Sequence, residues 1–281
     1  MYRTLISTDE LVPHLGESDW AICDCRHDLS DLEFGRRAYA QGHLPDASFL
    51  HLDEDLSGFK TGQNGRHPLP DPEQLAAKLG SLGIGNNTQV VAYDAHGGMY
   101  AARLWWLLRW LGHETVAVLD GGITKWIAEG KPVNNELPKF TPQLFERSPG
   151  VLPVNATFVL THVDGKAMQL IDARSPDRFA GQNETLDPVA GHIPTAMNRF
   201  FKLNLNENGF FKPADLIRQE FKTLLADRDS SEVVHQCGSG VTACHNLLAM
   251  EHAGLTGSRL YPGSWSEWCA DPGRPITKRV V

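Results

Sequence analysis

The chain of 281 residues is 41% hydrophobic and 21% charged, enough apolar content for real cores, and a length that suits two domains of about 100–200 residues or one large one. Its net charge of −8 excludes a binder of nucleic acid or acidic membrane whose affinity rests on excess Lys and Arg. No apolar run reaches the roughly 18–20 residues of a membrane span, and five Cys make an odd, low count that argues against a disulfide framework.

The N-terminal stretch MYRTLISTDELVPHL has no basic segment followed by an apolar one, so no secretory signal is read and a soluble, cytoplasmic protein is expected. Next comes AICDCRHD (21–28), a strand that places Cys23 and Cys25 on one face. Two Cys alone make no metal site. After GHLPDA (42–47), the segment 49–70 mimics a calcium loop with Asp53, Asp55, Ser57 and Gly58. Its twelfth position is Asn64 where a bidentate Glu is needed, so no metal is expected. The apolar run VVAY (90–93) reads as a buried parallel strand, and ARLWWLLRWLG as a helix closed by a glycine cap. Leu104, Leu107, Leu108 and Leu111 recur at helical spacing, which makes the neighbouring Trp residues packing groups. VAVL (116–119) is a further strand, followed by DGGITKW. Residues 134–153 then carry four Pro and little periodicity.

The second half repeats this order. LIDARSPD (170–177), GHIPTA (191–196), VVHQCGSG (233–240), TACHNLLAMEHAG (242–254) and SRLYPGSWSEW (258–268) echo the landmarks of the first half. Asp24 to Asp94 is 70 residues and Asp172 to Cys237 is 65; Asp94 to Trp126 is 32 and Cys237 to Trp268 is 31. A period near 145 residues is too long for a solenoid and fits two copies of one domain. The expected organisation is an N-terminal domain at 1–135, a linker at 136–153 and a C-terminal domain at 154–281. Alternating strands and helices make each copy an α/β fold, a parallel sheet flanked by helices. Ligands in such sheets bind at the C-terminal ends of the strands.

That rule selects the loops starting at Asp94 and Cys237. Cys237 leaves an apolar strand and enters Gly238-Ser239-Gly240 before a helix that begins near Val241 or Thr242. Loop amides and a helix N-terminus around a sulfur favour its charged, nucleophilic form. The glycines allow a tight cradle, whereas the loop behind Asp94, Ala-His-Gly-Gly-Met-Tyr, lacks this register, so the sulfur of an Asp94→Cys variant is expected to have a poorer amide cradle. A Cys-x5-Arg phosphatase needs a guanidinium six residues beyond the Cys, and that position is Ala243. His235 lies two residues before Cys237 on the strand, which is no argument for a catalytic base, and Cys244 is read as a packed thiol.

The duplicated Asp-x-Arg, Gly-His-hydrophobic-Pro-x-Ala, strand-Cys-loop-helix and Gly-x-x-x-Trp landmarks resemble the tandem-domain rhodanese sulfurtransferases over nearly the whole chain, and the loop CGSGVTA is similar to that of 3-mercaptopyruvate sulfurtransferases. The resemblance implies two rhodanese-like domains, the first inactive because Asp94 stands at the nucleophile position. It implies that Cys237 takes sulfur from a small donor as a persulfide and passes it to a thiol, thioredoxin or cyanide, with no metal or organic cofactor. Neutral Gly238-Ser239, where thiosulfate enzymes often carry basic residues, favours 3-mercaptopyruvate with release of pyruvate. Thiosulfate is the alternative donor, and a non-enzymatic sulfur carrier or binding module is the alternative class. The resemblance further implies a relay in which Asp53 orients His67 and His67 acts on Ser239, by ordinary triad logic. Substrate binding is expected at Gly238, Gly240, Val241, Thr242 and at Arg178 and Arg174, since a carboxylate calls for a guanidinium. Arg178 ranks above Arg174, because Arg174 has the counterpart Arg26 in the inactive copy, where it binds nothing. His43 and His192 occur in both copies and are read as architectural.

Overall fold

A computed structural model of the protein describes residues 1–226 and 228–278. The chain forms two compact units. Unit 1 is built from Met1–Gly58, Leu69–Val151 and Glu207–Phe211; unit 2 is built from Phe59–Pro68, Leu152–Asn206 and the described part of the chain from Lys212 onward.

In unit 1 the strands are β1 (Leu5–Ile6), β2 (Trp20–Asp24), β3 (Ser48–Phe49), β4 (Gln89–Tyr93) and β5 (Val116–Leu119). They pair in parallel in the order β1-β5-β4-β2-β3. Helices α1 (Thr8–Leu11), α2 (Phe34–Gln41), α3 (Pro72–Ser81), α4 (Ala101–Trp110) and α5 (Gly122–Ala128) connect them. Every residue of β4 and β5 is buried, which is what parallel strands covered on both faces require and why their sequences are unbroken apolar runs. Ile6, Ile22, Leu44, Val91, Leu119 and Trp126 form the core beside them, each fully buried large apolar side chain contributing about 1.5–3 kcal/mol.

Unit 2 contains α6 (Ala156–Thr161), β6 (Gln169–Asp172), α7 (Pro176–Phe179), β7 (Met197–Asn198), α8 (Ala214–Leu225), β8 (Val233–Gln236), α9 (Thr242–His252), β9 (Arg259–Leu260) and α10 (Ser264–Trp268). Its parallel order, β7-β6-β8-β9, is that of β3-β2-β4-β5 in unit 1. The repeat therefore extends from words in the sequence to strand order. It extends to side chains as well. Arg26 binds Asp24 and the carbonyl of Gly42, and Arg174 binds Asp172 and the carbonyl of Gly191 in the same way. His43 stacks on Tyr39 and His192 on Phe179, at 3.8 and 3.9 Å between ring centroids. Helices α4 and α9 both end in a Schellman motif: Gly112 N–H to Arg109 O with His113 N–H to Leu108 O, and Gly254 N–H to Glu251 O with Leu255 N–H to Met250 O. Those are the glycine stops that the sequence marks.

The Pro-rich stretch is irregular, as its composition demands, but much of it is packed on unit 1. Gln143 N–H donates to Gly80 O, Ser148 N–H donates to Leu111 O, and Phe145 is buried. Against the sequence boundaries of 1–135, 136–153 and 154–281, the structure groups residues as far as Val151 with unit 1, and moves Phe59–Pro68 into unit 2 and Glu207–Phe211 into unit 1. Residues 227 and 279–281 of the expected C-terminal domain lie outside the described residues.

Candidate active site

Strand β8 delivers Cys237 to the C-terminal edge of the unit 2 sheet, at the entrance to α9. The sulfur is buried, and the amide of Gly240 donates to it at 3.2 Å. Gly240 has φ +77°, and a Cβ there would fall 2.3 Å from Pro262 O, so the turn demands glycine. Gly238 is different. Its φ lies outside the left-handed range, and a Cβ would instead meet Arg66 Nη2 at 2.8 Å and Arg178 Nη2 at 3.5 Å. Glycine at 238 makes room for two guanidinium groups. Val241 is the N-cap of α9 and is buried, while Thr242, its first residue, is half-buried.

Ser239 and His67, two of the three residues of the expected relay, lie together. His67 Nδ1 lies 2.7 Å from Ser239 Oγ, and both residues are buried. The pairing is internal to unit 2, because Phe59–Pro68 belongs there. Asp53 belongs to unit 1, where its carboxylate is 3.8 Å from His27 Nε2 and its backbone N–H donates to His51 Nδ1.

Around the guanidiniums lie two carboxylates that the sequence reading did not select. Arg178 grips Glu184 with Nε and Nη2 at 2.8–3.2 Å and reaches Asp187 Oδ2 at 3.4 Å. Arg66 Nη1 donates to Asp187 Oδ1. Asp187 thus bridges both arginines. Burial pushes its carboxyl above the ordinary Asp value, against the pull of Arg66; Glu184 is also penalised by burial, but Arg178 and the amides of Leu186 and Asp187 hold it below the ordinary Glu value. Arg174, the second expected substrate arginine, has its donors committed to Asp172, Gly191 O and Glu184, with its side chain only 1% exposed. Those partners repeat the way Arg26 is held, by a carboxylate and a backbone carbonyl of its own copy.

Burial disfavours the thiolate form of three other cysteines. Burial pushes Cys23 up to about 12, Cys25 well above its ordinary value, and Cys269 up to about 11. Cys244 Sγ donates to Gly240 O at 3.3 Å inside the fold. Buried His235 faces Met250 Sδ, 3.1 Å from its Nε2. Among the described residues, His27, His51 and Asp53 bring possible metal-ligand atoms within 4.8 Å of one another. Both nitrogens of His51 are already engaged, Nδ1 by the amides of Asp53 and Glu54 and Nε2 by Leu32 O, so a metal would have to displace them.

The loop behind Asp94 is filled by its own carboxylate. Asp94 Oδ1 accepts from His96 and Gly98 N–H, and Oδ2 from Tyr100 and Ala101 N–H, at 2.7–3.0 Å. This is a full amide nest closed by a carboxylate; two Gly and the start of α4 suffice to turn four amides inward.

Neither Arg66 nor Asp187 carries a local signal in the sequence, since each is placed by contacts with a segment far away along the chain. Ser264, whose Oγ accepts the backbone N–H of Cys237 at 3.1 Å, stands where the first copy has Gly122, and that departure from the repeat is its signal in the sequence.

A tandem α/β fold with one cysteine loop and one carboxylate-filled loop defines a class, and comparison identifies it. The Rhodanese-like domain model matches residues 7–129 and 155–271. The chain belongs to the rhodanese-like family, in its tandem form. It is 44% identical over 275 residues to a probable 3-mercaptopyruvate sulfurtransferase of Pseudomonas aeruginosa, covering 97% of each chain. It is 34% identical to the thiosulfate sulfurtransferase of Cricetulus griseus, over 95% of this chain and 92% of that one. The solved 3-mercaptopyruvate sulfurtransferase of Leishmania major superposes with a TM-score of 0.84 at 29% identity, over 95% of this chain and 74% of that one. Among the described residues no helix is long and apolar enough to cross a membrane.

Proposed function

We propose that the protein moves the sulfur of 3-mercaptopyruvate through a Cys237 persulfide to a thiol or cyanide acceptor and releases pyruvate. The observation that carries this reading is the Ser239–His67 hydrogen bond of 2.7 Å, two residues past the nucleophile. A hydroxyl backed by an imidazole serves a donor with a ketone to polarise, and thiosulfate has none. The Cys237 thiolate attacks the donor sulfur. An S–S bond forms, the C–S bond breaks, and its electron pair leaves on pyruvate as the enolate, whose oxygen Ser239 stabilises. His67 returns a proton through Ser239, and Asp53 is the proposed group that orients His67. An acceptor thiolate, thioredoxin among them, or cyanide then attacks the outer sulfur and restores the Cys237 thiolate. Amides of Gly238, Gly240, Val241 and Thr242 border the donor, and Arg178 takes its carboxylate. The reaction is placed in the cytoplasm, a reducing compartment that suits five free Cys.

A thiosulfate-dependent reading is favoured by one observation, the two guanidiniums beside Gly238. Steady-state kinetics with both donors against cyanide and a dithiol decides between them: a higher kcat/KM for 3-mercaptopyruvate supports the proposal, and the reverse replaces it. Turnover with neither donor would leave a sulfur-carrier role. Mass spectrometry after donor treatment should find one added sulfur on the Cys237 peptide, with Cys237→Ser inactive; sulfur on another cysteine overturns the assignment.

A further inference from the structure

Two bonds hold the Ser239–His67 pair from behind, and both end on one residue of α10. Ser266 donates its backbone N–H to Gly238 O at 2.9 Å, and its Oγ accepts the backbone N–H of Arg66 at 3.0 Å. Gly238 immediately precedes Ser239, and Arg66 immediately precedes His67. The Ser266 hydroxyl proton goes to Gly263 O at 3.3 Å, so its oxygen offers Arg66 a lone pair. All of these residues belong to unit 2, although Arg66 and Ser266 are 200 positions apart in the sequence. The chain is shaped for the contact. Gly65, at φ +88°, lies so near α10 that a Cβ would fall 2.9 Å from Gly263 O and 3.2 Å from Ser266 Oγ. The repeat assigns the contact to the cysteine copy. The bond made one residue earlier recurs in both copies, as Trp265 N–H on Cys237 O and Ile123 N–H on Asp94 O. Among the described residues, Thr124, the counterpart of Ser266, makes no such bond to the loop behind Asp94.

We propose that Ser266 is a positioning residue for sulfur transfer, which sets the distance at which His67 meets Ser239 by holding the peptides that carry both side chains to one point. The inference rests on the Ser239–His67 relay of the proposed function and adds the residue on which that relay is mounted. Proton transfer needs heavy atoms within about 2.6–3.2 Å of each other, and the pair stands at 2.7 Å. His67 has no helix or strand to hold it there, because Phe59–Pro68 is irregular throughout. Bonds within that segment, Thr61 N–H to Asn64 Oδ1 and Asn64 Nδ2 to Phe59 O, tie its outer turn and stop short of His67. The Arg66 bond to Ser266 fixes the end that carries it. Cys237 is held separately, with its N–H on Ser264 Oγ and its sulfur on the amide of Gly240. Loss of the Ser266 hydroxyl therefore disturbs the relay and leaves the nucleophile in place.

Ser266→Ala in the full chain removes the acceptor of the Arg66 N–H and keeps the backbone bond to Gly238, which makes it the test. Alkylation of Cys237 by iodoacetamide should proceed at the parent rate. The kcat for 3-mercaptopyruvate should fall about ten-fold with little change in KM, as expected when a proton-transfer partner is displaced by a fraction of an ångström. That loss should disappear on a Ser239→Ala background, because a residue acting only through the relay has nothing left to position once the relay is gone. Imidazole-nitrogen NMR of His67, recorded without any donor, should show the Nδ1 resonance moving away from its hydrogen-bonded value. Should Ser266→Ala not fold, Ser266→Cys keeps the volume with a sulfur that accepts only weakly, and should show the same changes at smaller size. An unmoved His67 resonance with unchanged kcat in a folded variant overturns the proposal. An undiminished loss on the Ser239→Ala background overturns it too, as does a fall in alkylation rate equal to the fall in kcat. If the unaltered protein does not turn over 3-mercaptopyruvate while the His67 resonance moves as stated, the donor reading fails and the positioning by Ser266 stands.

Discussion

Ser264 Oγ accepts the backbone N–H of Cys237 at 3.1 Å and donates to Tyr261 O at 2.9 Å, from a fully buried residue whose φ is +56°. Its counterpart in unit 1 is Gly122, at φ +54°, where a Cβ would lie 2.1 Å from Asp94 O. The same peptide geometry recurs in both copies, with Ile123 N–H on Asp94 O and Trp265 N–H on Cys237 O, each 3.0 Å. Only the cysteine copy places a side chain on that strained residue. A non-glycine residue in the left-handed region costs about 1–3 kcal/mol, and such strain gathers where a structure over-determines a functional group. Here the strained hydroxyl fixes the peptide that carries the nucleophile.

Ser264→Gly should therefore relieve strain while losing the hydrogen bond, leaving stability within about 1 kcal/mol of the parent, since the two effects oppose. Ser264→Ala keeps the strain and orphans the Cys237 N–H, and should be less stable than Ser264→Gly by about 1–2 kcal/mol. Both should lower kcat several-fold with little change in donor KM, because the cysteine is misplaced and not the donor. Urea unfolding and steady-state kinetics read the two quantities separately. A Ser264→Ala protein more stable than Ser264→Gly would remove the strain argument.

Asp94 is the anion of its own nest. Asp94→Ala leaves four backbone N–H groups without their acceptor, and even with water reaching the outer ones the loss should be about 3 kcal/mol. Asp94→Asn keeps one acceptor oxygen but turns an amide N–H₂ toward two donors, so an intermediate loss is expected. The nest predicts a rescue as well. Sulfate or acetate should stabilise Asp94→Ala more than the parent at matched ionic strength, by occupying the vacated position. Equal salt responses in the two proteins would show that the amides do not form an anion site once the carboxylate is removed.

The repeat made most of the architecture legible. Matched intervals located both copies, apolar runs located β4, β5 and β8, and glycines located the ends of α4 and α9. The paired occurrence of Arg26 and Arg174 in the sequence matches the like way in which the structure holds them. What stayed hidden was convergence between segments far apart in sequence. Nothing local to Arg66 announces that it will stand over Gly238, because that depends on how Phe59–Pro68 packs with residues some 200 positions later. Gly238 is hidden for the same reason: its sequence context suggests backbone freedom, whereas its φ lies outside the left-handed range and the place of a Cβ is crowded by Arg66 and Arg178. The nest around Asp94 is not legible in the sequence, because its donors are backbone amides, which any residue type supplies.

His235 gives a prediction about acid stability. It sits on β8 between Ile171 and Leu260 of the neighbouring strands, against Met250 and Phe221, none of which titrates. Burial alone lowers its pKa from 6.5 to about 3. The native state therefore keeps this imidazole neutral while the unfolded chain takes up a proton below pH 6.5. Between pH 6.5 and 3 the unfolded state binds the extra proton, so stability rises with pH across that window and is lost as pH falls through it. The slope from one such group is about 1.4 kcal/mol per pH unit, and over the window it amounts to something on the order of 4 kcal/mol. Carboxylates titrate over the same range, so the contribution must be isolated by difference. His235→Leu keeps the site apolar and removes the titration. Urea unfolding of both proteins at pH 7, 6, 5 and 4 should show the parent losing stability faster than the variant, by close to one proton, with the curves parallel above pH 7. Parallel curves over the whole range would mean that His235 accepts a proton in the native state and is not held neutral by its surroundings.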